Sequence, residues 1–340
     1  MSQTKMSKNM FEPIELNLAK SEEIAKPSLT FWQDAWRRFK KNKAAVVSLV
    51  IIGLLTMMSL IGPHLSGYGY DEQISQHANL PPRISMLENI SWLPFDGELE
   101  KKNGDVYNAY EQKNVDVYYW FGTDSLGRDL FTRVWKGAQV SLYIALLAAL
   151  IDMVIGVAYG MISGYFGGKV DNIMQRITEV LISIPNLVVV ILMILMLKPG
   201  ILSITIALTI TGWVNMARVV RAQVLKLKNQ EYVLAAKTLG ASNKKIMVKH
   251  LLPNLTGVII INTMFTIPNA IFFEAFLSFI GLGLQPPLAS LGTLIDDGYK
   301  VLQLYPYQML IPAVMISLIM ICFNMVADGL RDAFDPKMRD

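Results

Sequence analysis

The chain has 340 residues, of which 53% are hydrophobic and only 17% charged, against about 25% charged in an ordinary soluble domain. The apolar residues fall in long unbroken runs, which excludes a soluble globular fold and points to an all-α, polytopic membrane protein. Net charge is +4, the single cysteine (Cys322) excludes an intramolecular disulfide, and three scattered histidines (His64, His77, His250) with no cysteine cluster offer no metal site.

Residues 1–28 are mixed in charge and non-periodic, with Pro13 and Pro27, and are expected to form a flexible tail without the apolar core of a cleavable leader. Residues 29–43 carry Phe31, Trp32, Ala35, Trp36 and Phe39 on one helical face beside Arg37, Arg38, Lys40, Lys41 and Lys43. That pattern predicts an interfacial helix on anionic membrane lipid, the alternative being a helix packed on the chain's own surface. A first span occupies 44–65, its uncharged run extending from Ala44 to Gly62. The segment 66–136 is the one sizeable extramembrane region, with hairpin or loop character between Asp96 and Asp116; it reads equally as a docking surface or a lid.

A five-helix core is expected over 137–328, with spans at Gly137–Gly164, Val180–Leu197, Pro199–Ala217, Leu251–Phe273 and Val301–Ala327, followed by a tail at 329–340. The turn Lys198-Pro199-Gly200 makes the middle two a hairpin. Gly156, Gly160 and Gly164 form a ladder of small residues suited to close helix packing. With both termini cytoplasmic, 22 of the 31 lysines and arginines lie on the inner side, as the positive-inside rule requires.

Within the inner loop 218–253, and running on to Asn254, lies the most polar long helical pattern of the second half. Asn229 is placed to cap a helix with Gln230 and Glu231 in its first turn, and Gly240 to close it after Lys237. Tyr232, Ala235, Ala236 and Leu239 share its apolar face. Ser242 is placed to cap a second, basic helix through Lys244, Lys245 and Lys249 toward Pro253. A short helix–turn–helix at a membrane surface is a handle for another protein.

No catalytic constellation accompanies it. Gly167-Gly168-Lys169 has Ser163 and Val170 where a phosphate-binding loop needs Gly and Ser or Thr, so the chain does not hydrolyse ATP by itself. Neither a Ser–His–Asp set nor HExxH is present. Asp152 lies near the middle of the second span, where it reads as a proton or cation site, a contact to a passing substrate, or a buried link to a neighbouring helix or partner subunit. As an ion site it would serve an ion-coupled secondary transporter, a competing function. Glu274 falls near the outer end of its span, within reach of water or a lysine, and reads as structural. Asn186, Asn215, Asn262, Asn269 and Asn324, in or beside spans, line a polar pathway or join helices.

The spacing Ala235-Ala236, Gly240, Leu252-Pro253 resembles the EAA loop of ATP-binding-cassette importer permeases, with Leu234 where many members have Glu and His250 where Ile is common. Both departures resemble the peptide-importer branch. Gly122-Thr123-Asp124-Ser125-Leu126-Gly127-Arg128-Asp129 is similar to the GTDxxGRD motif of that branch's C-type permeases. Leu277-Ser278-Phe279-Ile280-Gly281-Leu282-Gly283 with Pro286-Pro287 is similar to their fifth-span exit, although Ala289 and Leu291 depart from the usual PSWG. Asp328-Gly329-Leu330-Arg331-Asp332 with Asp335-Pro336, and the start at Trp36-Arg37-Arg38, complete a likeness over 29–340. Dipeptide and nickel permeases share most of these marks.

The resemblance implies a type I importer permease fold with six transmembrane helices and cytoplasmic termini, in the cell membrane. It implies a heterodimer with a second homologous permease, two ATPase subunits that bind ATP and Mg, and an extracytoplasmic peptide-binding protein. No nucleic acid or cofactor in this chain is implied. Glu231, Ala235, Ala236, Gly240, Ala241, Ser242, Leu252 and Pro253 would form the ATPase-coupling surface. Asp152, Asn262, Asn269 and Glu274 remain as pathway or structural polar groups.

Overall fold

A computed structural model describes residues 30–88, 95–100 and 104–335. The expected tail at 1–28, and 336–340 with Pro336 of the C-terminal motif, lie outside them. Helix α1 (Phe31–Lys41) starts at a reciprocal cap, Gln33 N–H donating to the Thr30 hydroxyl and Thr30 N–H to the Gln33 side chain. It packs on the chain's own surface: Ala35 and Phe39 are buried, Phe31 stacks on Phe334 with ring centroids 5.7 Å apart, and Arg38 donates to the Asp335 carbonyl at 3.3 Å. Trp32, edge-on to Phe334, and Trp36 stay about half exposed.

Asn42 caps α2 (Lys43–Ile61), which is largely apolar all round and buries Ala45, Ser48 and Ser59 against the rest of the bundle. The following segment builds a small cap. Strands β1 (Glu98–Glu100) and β2 (Val106–Asn108) pair antiparallel, and α3 (Ala109–Gln112) follows. Leu80, Tyr110 and Tyr119 give the cap a core of its own, and the Tyr110 hydroxyl donates to the Pro81 carbonyl at 2.7 Å. Gln308 and Tyr307 then hold it down, both donating to the Thr123 carbonyl.

The remaining helices are α4 (Leu130–Phe166), α5 (Gly168–Ser183), α6 (Asn186–Leu197), α7 (Ile201–Leu227), α8 (Glu231–Thr238), α9 (Asn243–Lys245), α10 (Leu252–Phe279), α11 (Leu291–Lys300) and α12 (Tyr307–Phe334). Among the described residues, five helical stretches are long and apolar enough to cross a membrane: 43–64, 130–166, 201–227, 243–279 and 307–334. Helices α5 and α6 pass the same test only as a pair, bent by 81° at the break between them, which makes them a broken sixth span or a re-entrant loop.

That bend corrects the straight third span expected at Val180–Leu197. Pro185 cannot donate to the helical ladder and forces Ile184 into an extended conformation, so the rod breaks there. Other boundaries move as well. Helix α4 begins at Leu130, seven residues before the apolar run, because Asp129 accepts the Phe131 and Thr132 N–H groups. The last helix begins at Tyr307 rather than Val301, after turns that end at Pro306, and it continues to Phe334 through much of the expected tail.

Helices α4 and α7 pack with their backbones close together. Gly156, Gly160 and Gly164 lie against the Trp213, Ala217 and Arg221 carbonyl oxygens, where any β-carbon would collide. The small-residue ladder therefore sets the distance between these two backbones.

Candidate functional site

At the end of the bundle opposite the cap, α8 projects between α7 and α9. Gln230, in an extended conformation, precedes the helix, so it starts one residue later than an Asn229 cap would place it. Asn229 instead donates to the Leu225 carbonyl at 3.5 Å and closes α7. The far end has a Schellman geometry: Gly240 N–H donates to the Lys237 carbonyl and Ala241 N–H to the Ala236 carbonyl, both at 3.0 Å. Gly240 has φ +78°, and no atom lies within 4 Å of where its β-carbon would sit. Backbone conformation alone thus selects glycine there.

Ser242 accepts from Lys245 N–H at 3.4 Å and starts the second helix, as its position suggests. That helix does not stop at Pro253. It passes through one π turn, Ile246–Leu251, into α10, giving a single rod from 243 to 279. A proline lacks an N–H and crowds the carbonyl four residues earlier, here Lys249, and the wider π turn accommodates both defects. Leu252 and Pro253 therefore form the first turn of α10, Pro253 exposed and Leu252 half-buried.

The apolar face of α8 is mostly turned outward. Its anchor is Val233, only 3% exposed and packed with Ile246, Leu251 and Val224. Tyr232, Leu234, Ala235 and Leu239 face outward with Glu231, and Ala236 is half-buried. Leu239 is 88% exposed, which leaves an apolar side chain unburied on the projecting face.

Three polar contacts brace the helix ends around this projection. Arg221 Nε and Nη2 each lie 2.6 Å from an Asp171 oxygen, Lys228 donates to the Gly164 carbonyl at 2.8 Å, and Tyr165 donates to the Asn243 side chain at 2.8 Å. None of these partners is close in sequence.

A second feature lies between α4, α6, α7 and α10. Asp152 of α4 is 4% exposed and presses against Gly212 of α7, where a β-carbon would meet the carboxylate. Among the described residues its Oδ1 has no hydrogen-bond partner. The carboxylate lines a cavity of about 200 Å³ with Asn186, Thr211 and Asn269. An adjoining cavity of about 370 Å³ shares Asn186, Thr211 and Asn215 and reaches Pro185 and Arg218. Thr211 donates to the Asn186 side chain at 2.6 Å, joining the two walls.

Asn262 and Glu274 are not part of this cavity. Asn262 donates to the Val258 carbonyl and faces a different groove, beside Lys226 and Arg331. Glu274 is fully buried, away from water and lysine, because α10 continues past it to Phe279. Its two oxygens accept from Ser141 and Ser278, both at 2.8 Å.

At the cap, Asp124 Oδ1 accepts from Leu126 and Arg128 N–H groups while Oδ2 receives Arg128 Nε at 2.6 Å. Asp297 of α11 lies 3.6 Å from Arg128 and 3.8 Å from Arg133, and burial pushes its carboxyl above the usual range. The Gly-Thr-Asp…Gly-Arg-Asp stretch is thus a clamp between cap and bundle. Among the described residues, no group of three or more His, Cys, Asp or Glu side chains could hold a metal ion.

Comparison with known proteins adds to this geometry. The family of binding-protein-dependent transport system inner membrane components matches residues 156–340, and the N-terminal TM domain of oligopeptide transport permease C matches 30–82. The oligopeptide transport system permease protein OppC of Bacillus subtilis is 46% identical, covering 98% of each chain. The dipeptide transport system permease protein DppC of Lactococcus lactis is 49% identical over 93% of this chain and 94% of its own. OppC of Escherichia coli is 38% identical over 98% of this chain and 99% of its own. An inward-facing structure of the methionine ABC transporter MetNI aligns at a TM-score of 0.49, with 20% identity, over 60% of this chain and 95% of that chain.

Proposed function

The chain belongs to the family of binding-protein-dependent transport system inner membrane components, and we propose that it is one of two permease subunits of an ATP-driven peptide importer. It is a multi-pass protein of the plasma membrane. The reading puts both termini and α8 on the cytoplasmic side, with the cap outside. Two ATPase subunits would hold ATP and Mg, one of them seating on α8; a second homologous permease would complete the pathway, and an external peptide-binding protein would deliver the cargo.

The observation that carries this reading is the shape of the α8 projection. A stop at Gly240 fixes a short helix whose outward face holds Glu231, Ala235 and Leu239, with Ala236 half-buried. Small side chains permit close approach of a partner, and an apolar tip gains by being buried. Val233 and the Arg221, Lys228 and Tyr165 contacts make the projection stiff enough to transmit force to α4, α5 and α10. Closure of the ATPase pair would push this lever and expose the cavity alternately to the two sides.

The test is affinity purification of the tagged chain followed by uptake in proteoliposomes. The reading predicts recovery with a second permease and two ATPases, and ATP-dependent uptake of peptide once the external receptor is added. Recovery as a self-sufficient transporter driven by an ion gradient would overturn it.

A further inference from the structure

The paired cavities beside α7 carry opposite charges at their two ends. Asp152 occupies one end, almost entirely buried; among the described residues one of its carboxylate oxygens is unpartnered and no lysine or arginine lines its cavity. Arg218 stands at the far end of the adjoining cavity, exposed. Between them the shared wall is polar but uncharged: Asn186, Thr211 and Asn215.

A carboxylate removed from water without a partner is costly, and a cation brought into contact offsets that cost. The helix supplies a ruler. Asp152 touches Gly212, and Arg218 lies six residues further along α7, a rise of about 9 Å at about 1.5 Å per residue. An extended peptide advances about 3.3–3.6 Å per residue. The offset along the α7 axis is thus one that a peptide of a few residues can span, the reach of the exposed Arg218 side chain adding to it.

We infer that Asp152 and Arg218 form a track for short zwitterionic peptides, Asp152 taking the free α-ammonium and Arg218 the α-carboxylate. The inference rests on the peptide-importer reading. Asparagine and threonine amides and hydroxyls along the wall both donate and accept, which suits a peptide main chain and ignores its side chains. Longer peptides would satisfy only one end at a time.

The test is ATP-driven uptake by the complete complex with its receptor in proteoliposomes, using trialanine, N-acetyl-trialanine and trialanine amide. Selectivity is compared between wild type and variants, so that the receptor's own preference cancels. Asp152→Asn is expected to reduce the preference for trialanine over its N-acetyl form at least tenfold and to leave the preference over the amide unchanged. Arg218→Gln is expected to do the reverse. If each variant lowers all three peptides alike, or changes none, the track is refuted. If the wild-type complex transports no peptide, the importer reading itself fails and the track falls with it.

A second measurement keeps Asp152 intact, in case its replacement prevents assembly. In a complex carrying Asn269→Cys, the ratio of labelling rates for a cationic over an anionic methanethiosulfonate should exceed the ratio for a free thiol in solution at least tenfold. A ratio equal to the free thiol's would refute a charged carboxylate in that cavity.

Discussion

Arg221 closes on Asp171 with two parallel nitrogen–oxygen contacts of 2.6 Å, fixing the start of bent helix α5 to the long fourth span. Two-pronged guanidinium–carboxylate pairs hold orientation as well as distance. Ser163 of α4 also donates to the same carboxylate, so three helices meet at one charge. Asp171→Asn is expected to cost about 1–3 kcal/mol, the worth of hydrogen bonds to a charged group, and to loosen α5. The exchange Asp171→Arg with Arg221→Asp should recover part of that loss. Thermal unfolding in detergent checks both; equal destabilisation by the single and exchanged variants would show that the pair does not matter.

The Gly240 stop gives an ordered series. Its φ of +78° is open to Gly, tolerable for Asn, and costs other residues about 1–2 kcal/mol. With no neighbouring atom within 4 Å, side-chain size itself should not matter. Helix stability and transport should fall in the order Gly, Asn, Ala, Val, while the protein remains in the membrane. An alanine variant better than the asparagine one would contradict the backbone argument.

Much of this was legible in the sequence, because long apolar runs, caps and a left-handed glycine are local signals. Ser242 and Gly240 do what their positions in the chain predict. Contacts between distant residues were not legible: Asp171 and Arg221 are fifty residues apart, and nothing local pairs them. Glu274 was misplaced for a similar reason. The apolar run ends at Phe273, but Ser141 and Ser278 supply the partners that let a carboxyl stay inside the bundle. The third span misled because hydropathy cannot see an 81° bend, although Pro185 marks where it lies. The anchor of α8 was not legible either: in a helix this short one residue, Val233, does the anchoring, while Tyr232, Ala235 and Leu239 stay on the outward face.

That buried carboxyl makes its own prediction. Glu274→Ala strands two serine hydroxyls and opens a cavity, so it should destabilise by about 2–4 kcal/mol. Glu274→Gln keeps the volume and a carbonyl acceptor and should cost less than half of that. Comparison of the two melting transitions measures the difference, and equal losses would argue against the hydrogen-bonding role.

The cap should respond to pH through His77. Burial, with Lys113 nearby, holds this imidazole below its ordinary value of 6.5, and its Nδ1 lies 2.7 Å from the Tyr119 hydroxyl. The unfolded cap therefore binds the proton first as pH falls. Cap stability should be full above 6.5 and decline as pH drops through the lower folded value. Hydrogen exchange near Leu80 and Tyr119, compared between about pH 7.5 and about pH 5.5, should show the loss, and His77→Gln should abolish its pH dependence. An unchanged slope in that variant would assign the effect elsewhere.

The central claim is that the outward face of α8 joins this permease to its ATPase. Leu239, being 88% exposed, can be changed with little effect on folding, within about 0.5 kcal/mol. The most direct measurement is co-purification of ATPase subunits with the Leu239→Asp and Ala236→Glu variants, alongside recovery of the second permease. The account predicts that the second permease is retained while ATPase recovery and peptide-stimulated ATP hydrolysis fall at least tenfold. Full ATPase recovery with undiminished stimulation in both variants would contradict it.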